Sequence, residues 1–141
     1  MNKKLRIVLD TNILLVSISS RSLYHWIFQK LLNGEFDLYV TTEILMEYEE
    51  IIASKYNEKV AKEVLRALLK LPNVHRQLIY YHWNLIHLDP DDNKFVDCAV
   101  SANAHYLVSN DRHFRVLKEI PFPRIEVLKI DKFRTIFPDV L

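Results

Sequence analysis

The sequence contains one glycine, Gly34, among its 141 residues. Phosphate-binding loops such as GxGxxG and GxxxxGK[ST] need glycines at fixed spacing, because the backbone must approach the phosphate closely. Neither pattern occurs here. The sequence therefore argues against Rossmann-type dinucleotide binding and against P-loop chemistry.

Cysteine and long apolar runs are also scarce. The single cysteine, Cys98, excludes an internal disulfide and is typical of a reducing compartment. No apolar run approaches the roughly 18 residues of a membrane-spanning helix. The N-terminal stretch MNKKLRIVLDTN lacks the long apolar segment of a signal peptide. We therefore expect a soluble cytoplasmic protein with no membrane partner.

Neither sign of charge predominates. Nineteen Lys and Arg residues stand against 18 Asp and Glu, for a net charge of +1. The totals alone do not indicate a nucleic-acid-binding protein, although a local basic patch is compatible with them. Half of the residues are hydrophobic and 26% are charged, which is typical of a folded chain with a core. The length predicts one domain spanning residues 1–141.

Apolar runs of strand length alternate with stretches of helical periodicity. The predicted strands are 5–9, 38–40, 83–88, 106–108 and 125–130, and residues 73–82 are compatible with strand or helix. The predicted helices are one capped by Ser22 and ended by Gly34, one from Thr41 or Thr42 to about Ala53, one capped by Asn57 and stopped by Pro72, one from about Asp92 to Asn103, a short one from Arg112 and a terminal one capped by Asp131. This alternation predicts an α/β fold: a three-layer α/β/α sandwich with a central parallel sheet.

The stretch IVLDTN places a carboxylate, Asp10, between two aliphatic runs. A charge in such surroundings is costly unless it is paired, hydrogen-bonded or bound to a metal. The simplest explanation is a strand end at which Asp10 caps the next helix. However, Asp111 also follows a predicted strand, and Asp92 follows another after a short loop. Since ligands of parallel α/β sheets bind at the carboxyl edge of the sheet, we expect all three acids there.

A fourth acid is expected from the helix after Val40. At about 100° per residue, Ile44, Leu45, Tyr48, Ile51 and Ile52 form one apolar face. Glu43 and Glu50 lie opposite this face and are predicted to be solvated. Glu47 lies on its border and is the preferred candidate, with Glu49 on the other border as the alternative.

The segment DPDDNKFVDCA contains four acids before and within one predicted helix. Asp92 projects over the inward face of this helix at its first turn, whereas Asp97 points away and is predicted to be surface. Asp92 could instead serve only as a helix cap. Asp91 is a further competitor, because the sequence does not define the loop geometry.

The set VLDTN, the glutamate of EILMEY, DPDDNKFVDCA and YLVSNDRHF resembles the PIN-domain family, in the family's order and over nearly the whole chain. The likeness is greatest to the VapC-like bacterial toxins of toxin–antitoxin pairs. The family's acidic residues correspond here to Asp10, Glu47, Asp92 and Asp111. Ser109 stands where members often have Thr, and Asn110 where they often have Gly.

The resemblance implies a metal-dependent endoribonuclease that is usually a homodimer and is neutralised by a small antitoxin. Four neighbouring carboxylates need a cation, and oxygen ligands suit Mg²⁺ or Mn²⁺. Asn12 and Ser109 are candidate hydrogen-bond donors to these carboxylates. Candidates for RNA contacts are Arg112 and Arg115 for phosphates and Tyr24, Trp26 and Phe114 for stacking, although solvation and core packing explain these residues more simply.

Two other functions fit the same pattern. The first is a non-catalytic PIN-like module that binds RNA or protein, and the presence of all four acids argues against it. The second is a DNA nuclease, since related folds cut flaps. The chain is short for the helical arch that flap-cutting enzymes tend to add.

Overall fold

A parallel sheet forms the centre of the protein. The computed structural model describes residues 4–140. Its elements in chain order are β1 (Arg6–Leu9), α1 (Thr11–Ile18), α2 (His25–Leu32), β2 (Asp37–Val40), α3 (Thr42–Lys55), α4 (Glu58–Lys70), β3 (Val74–Arg76), a first 3-10 helix (Pro90–Asp92), α5 (Asn93–Ser101), β4 (Tyr106–Val108), a second 3-10 helix (Arg112–Glu119), β5 (Val127–Leu128) and α6 (Ile130–Arg134). The strand order is β3-β2-β1-β4-β5 and every pairing is parallel. The predicted α/β/α sandwich with a central parallel sheet is confirmed.

The central strand β1 and its neighbour β4 carry the buried runs that precede the candidate acids. In β1, Ile7, Val8 and Leu9 are fully buried, because β1 is paired on both sides and covered by helices. Leu9 is in register with Val108 at the end of β4, and Asp10 N donates to Val108 O at 3.0 Å. The residues that follow these two strands therefore meet at the carboxyl edge of the sheet.

Two helix caps agree with the sequence patterns. Thr41 Oγ1 accepts a hydrogen bond from Ile44 N at 3.1 Å at the start of α3. Asn57 Oδ1 accepts one from Val60 N at 2.9 Å at the start of α4. These side chains satisfy backbone donors that a helix N-terminus leaves without partners.

The predicted strand 83–88 is wrong. The third strand of the sheet is β3, which lies at Val74–Arg76 beside β2. Residues 77–88 follow it without regular secondary structure. An apolar run of this length predicts a strand only where a neighbouring strand can pair with it, and this segment lies beside a helix instead.

Polar side chains of α5 hold the 77–88 segment in place. Asn93 Oδ1 accepts from Ile86 N at 2.9 Å, and Asn93 Nδ2 donates to Ile86 O at 2.8 Å. Ser101 Oγ donates to Leu78 O at 3.2 Å, two turns further along α5. Side chains spaced four residues apart share one helix face, so this face of α5 replaces the hydrogen bonds of a strand pair.

Other predicted boundaries shift. The last strand is Val127–Leu128 rather than 125–130, and α6 begins at Ile130, so that Asp131 lies in its first turn and does not cap it. The helix expected from Ser22 begins at His25. The sequence patterns also missed α1. Among the described residues, no helix combines the length and apolar character needed to span a bilayer.

Candidate metal centre

Asp10 lies at the junction of β1 and α1. It occupies the N-cap position of α1, yet its side chain makes no capping hydrogen bond. Asp10 Oδ2 instead accepts a hydrogen bond from Ser109 Oγ at 2.7 Å. The side chain is therefore turned towards the carboxyl end of β4, and the predicted contribution of Ser109 as a hydrogen-bond donor is present.

Asp111 lies next to Asp10 across the sheet edge. Ser109 Oγ also accepts from Asp111 N at 2.9 Å, so one hydroxyl joins the two acids. Asp111 Oδ1 accepts from His113 N at 2.9 Å and caps the second 3-10 helix. This cap fixes the carboxylate at the end of β4.

Asp92 reaches the same region from the start of α5. It is the N-cap residue of α5, but its side chain makes no capping hydrogen bond. Asp92 Oδ2 lies 3.2 Å from His113 Nδ1, which is also 3.5 Å from Asp111 Oδ1. His113 therefore joins Asp92 to Asp111, as Ser109 joins Asp111 to Asp10.

Glu47 approaches from α3 and is half-buried, whereas Glu43, Glu49 and Glu50 are exposed. Thr11 Oγ1 donates to Glu47 Oε2. Lys94 Nζ donates to Glu47 Oε1 at 2.7 Å. The border position expected from the helix geometry holds Glu47 against the first residue of α1.

The acids perturb one another. Burial raises the pKa of Asp10, the hydrogen bond from Ser109 lowers it, and the charges of Asp111 and Glu47 raise it further. Burial also raises the pKa of Asp92 to about 6, with smaller increases from the charges of Asp89, Asp10 and Asp111 and a decrease from His113. Buried acids that repel one another are a donor set that a divalent cation would stabilise.

In the described part of the chain, a set of three possible metal ligands includes two residues that the sequence patterns missed. Asp89, Asp92 and His113 each offer one ligand atom, and these atoms all lie within 4.8 Å of one another. Carboxylate oxygens suit Mg²⁺ and Mn²⁺, whereas an imidazole nitrogen favours a transition-metal ion over Mg²⁺. The signals were present in DPDDN and in NDRHF, where a histidine follows Asp111 by two residues.

The prediction that Asp97 is surface is wrong. Its residue is only 4% exposed. Asp97 Oδ1 accepts from Trp83 N at 3.0 Å, and Asp97 Oδ2 lies 3.1 Å from His82 Nδ1. The helix face that points away from the sheet is covered by the 77–88 segment. Asp91, the other competitor, is exposed.

The other candidates divide into core and surface. Phe114 is fully buried, so it is not a stacking platform. The ring centroids of Trp26 and Phe133 lie 5.7 Å apart, so Trp26 packs against another aromatic side chain. Tyr24 and Asn12 line a pocket together with Asp10 and Asp111. They remain near the candidate site, and Asn12 is exposed there.

A family model of the PIN domain matches residues 6–113. The chain belongs to the PIN-domain family. PIN domains are generally nucleases, and the matched range contains Asp10, Glu47, Asp92 and Asp111.

The fold of this PIN-domain protein is similar to that of a solved relative. The relative is one chain in the crystal structure of VapBC2 from Rickettsia felis, in which VapBC2 is bound to a DNA fragment from its promoter. The TM-score is 0.63 at 17% sequence identity, over 89% of this chain and 98% of that chain. No curated protein matches the sequence.

Proposed function

We propose that this PIN-domain protein is a metal-dependent endoribonuclease that cleaves RNA phosphodiester bonds with a metal-activated water. The observation that carries this proposal is the convergence of Asp10, Asp92 and Asp111 at the carboxyl edge of the sheet. One hydroxyl and one imidazole link them. Such a cluster of oxygen ligands suits a hard divalent cation.

Asp10, Asp92 and Asp111 would hold the principal Mg²⁺ or Mn²⁺ ion, partly through water molecules. Glu47 would orient the attacking water or hold a second ion. The chemistry that a bound divalent cation supplies is activation of water and stabilisation of charge on the phosphoryl and leaving oxygens.

Neighbouring side chains would keep these carboxylates in position. Ser109 restrains Asp10, and the Thr11 hydroxyl and the Lys94 ammonium restrain Glu47 from two sides. Partners of this kind orient metal ligands and tune their basicity. His113 would either restrain Asp92 or supply a nitrogen ligand beside it.

The proposal is tested by incubating the protein with a mixed pool of single-stranded RNA and with single-stranded DNA of the same sequences. We expect internal cleavage of RNA with Mg²⁺ or Mn²⁺ and none with EDTA, because the acids alone provide no activated water. The products are read by sequencing of the new ends. Cleavage in EDTA would exclude the metal mechanism. Cleavage of DNA alone would favour the DNA nuclease, and RNA binding without cleavage would favour the non-catalytic module.

Metal binding should depend on pH through Asp92. A carboxylate must be deprotonated to bind a cation, and burial raises the pKa of Asp92 to about 6. Without metal, the raised pKa favours the protonated folded form. This contribution to stability is complete below the ordinary aspartate pKa of 3.8 and is lost as pH rises through about 6.

We therefore expect the increase in melting temperature caused by Mn²⁺ to be larger at about pH 7.5 than at about pH 5. Differential scanning fluorimetry measures this shift at several pH values. Asp92→Asn should reduce the shift and flatten its pH dependence, whereas the exposed Asp131→Asn serves as the matched control. An equal shift at both pH values would contradict a ligand role for Asp92.

The physiological setting is proposed from the resemblance to VapC-like toxins and from the fold shared with VapBC2. The protein would act in the cytoplasm as the toxin of a toxin–antitoxin pair. Its partners would be a small antitoxin protein and a second copy of the chain. A small neighbouring reading frame that encodes a DNA-binding protein would support this assignment.

A further inference from the structure

Positive charge is concentrated in one part of the chain. The whole sequence has a net charge of +1, yet residues 112–134 contain seven Lys and Arg against three Asp and Glu. This range forms the second 3-10 helix, β5 and α6. The net charge of the whole chain does not show this basic patch. The patch lies on the side of the sheet where β5 is the edge strand.

Two adjoining pockets lie along this edge and share Lys118 and Val127. The first also includes Ser109, Asp111, Arg115 and Lys129. The second extends to Arg124 and Lys132. We call the surface formed by these two pockets the β5 groove.

Few cations of the β5 groove are paired with an acid of the described part of the chain. Arg115, Lys118, Lys129 and Lys132 are exposed, and none forms an ion pair with another residue of the described part of the chain. Arg124 faces Glu126 at 3.8 Å, with both side chains exposed, and such a pair contributes little. The two pockets together carry five cations against two acids, Asp111 and Glu126, and a groove with such an excess of positive charge is complementary to a polyanion.

The groove opens beside the acids of the candidate metal centre. Asp111 and Ser109 line its first pocket, and Ser109 Oγ is the hydroxyl that donates to Asp10. A strand whose scissile phosphate lies at the acids needs cations for its flanking phosphates, because the acids alone repel it. The β5 groove offers these cations directly next to the acids.

We propose that the β5 groove binds the phosphodiester backbone of the RNA strand on one side of the bond that is cleaved. This proposal rests on the proposed nuclease function. Lys118 and Lys129 line the pocket nearest the acids and contact phosphates of the strand. The groove follows the phosphate backbone and makes no base-specific contacts, as expected for charge-driven binding of single strands.

The test compares two double variants that each remove two positive charges. Lys118→Gln with Lys129→Gln alters the groove, and Lys59→Gln with Lys62→Gln alters the exposed face of α4 as the matched control. Binding of a fluorescent single-stranded RNA is measured by anisotropy over a range of salt concentrations. EDTA is present so that no metal-dependent cleavage occurs during the titration.

We expect the groove variant to bind RNA about tenfold more weakly at low salt, and its slope of log affinity against log salt to fall by about 1.4, or about 0.7 for each lost phosphate contact. The control variant should match the wild type. If both variants bind RNA as the wild type does, or if the wild type binds no RNA, the proposal is overturned.

Further measurements distinguish RNA from other ligands of the groove, and distinguish failure of the groove proposal from failure of the nuclease proposal. An equal loss with DNA of the same sequence supports backbone phosphates as the shared ligand, and a loss with DNA alone overturns the RNA assignment. An equal loss with polyglutamate shows a general polyanion site and also overturns it. If the wild type never cleaves RNA but its binding depends on the groove, the groove stands and the nuclease function fails.

Discussion

Asp10→Asn is expected to lower the rate of metal-dependent RNA cleavage by about a hundredfold or more. The substitution keeps the size of the side chain and an oxygen that can accept the hydrogen bond from Ser109 Oγ, which lies 2.7 Å from Asp10 Oδ2. It removes one negative charge from the acid cluster. Metal affinity and the activation of water should both fall, because a neutral amide is a weaker ligand than a carboxylate. The rate is measured by single-turnover cleavage of a labelled RNA at saturating Mn²⁺.

The melting temperature of Asp10→Asn shows whether a loss of cleavage is caused by lost chemistry or by unfolding. Burial and the charges of Asp111 and Glu47 raise the pKa of Asp10, so its ionised form destabilises the metal-free protein. Asp10→Asn should therefore raise the melting temperature without metal and reduce the increase caused by Mn²⁺. The exposed Asp91→Asn is the control and should change neither quantity. Normal cleavage by Asp10→Asn would remove Asp10 from the mechanism.

Asp97→Ala is expected to lower the free energy of unfolding by about 2 to 3 kcal/mol. The carboxylate is buried against the 77–88 segment, where it accepts from Trp83 N at 3.0 Å and pairs with His82 Nδ1 at 3.1 Å. Alanine would leave the Trp83 amide without its acceptor. It would also break the middle of the three attachments that Asn93, Asp97 and Ser101 make to this segment.

Urea denaturation measures the loss of stability, and hydrogen exchange of the Trp83 amide measures the local opening. Asp97→Asn keeps an oxygen acceptor for the Trp83 amide and should cost less than alanine. Glu43→Ala, an exposed change on α3, is the control for removal of an acid. Unchanged stability together with unchanged protection of Trp83 would contradict the anchoring role of Asp97.

Asp10 and Asp111 show why the position of some acids in the fold could be predicted from the sequence. Asp10 and Asp111 follow strands that the apolar runs of the sequence identify. In a parallel sheet the carboxyl ends of neighbouring strands meet at one edge, so topology alone brings these two acids together. Glu47 could be selected from four glutamates because helix periodicity relates each of them to a known apolar face.

The burial of Asp97 and the position of His113 could be seen only in the folded protein. The helix geometry correctly turned Asp97 away from the sheet, but it contained no information about the 77–88 segment that covers this side. His113 acquires its position next to Asp92 because the second 3-10 helix brings Nδ1 within 3.2 Å of a carboxylate 21 residues away in sequence. Neither contact has a periodic signature.

The sequence by itself determined the parallel α/β architecture, the family and the edge at which the acids gather, because these follow from local periodicity and strand order. Only the tertiary structure decided that residues 77–88 lie along α5 and are not a strand, that Asp97 is buried, and that Asp89 and His113 flank Asp92. It also decided that scattered cations line one groove. The physical reason is that pairing partners, burial and electrostatic neighbours are properties of residues distant in sequence, which exist only once the chain has folded.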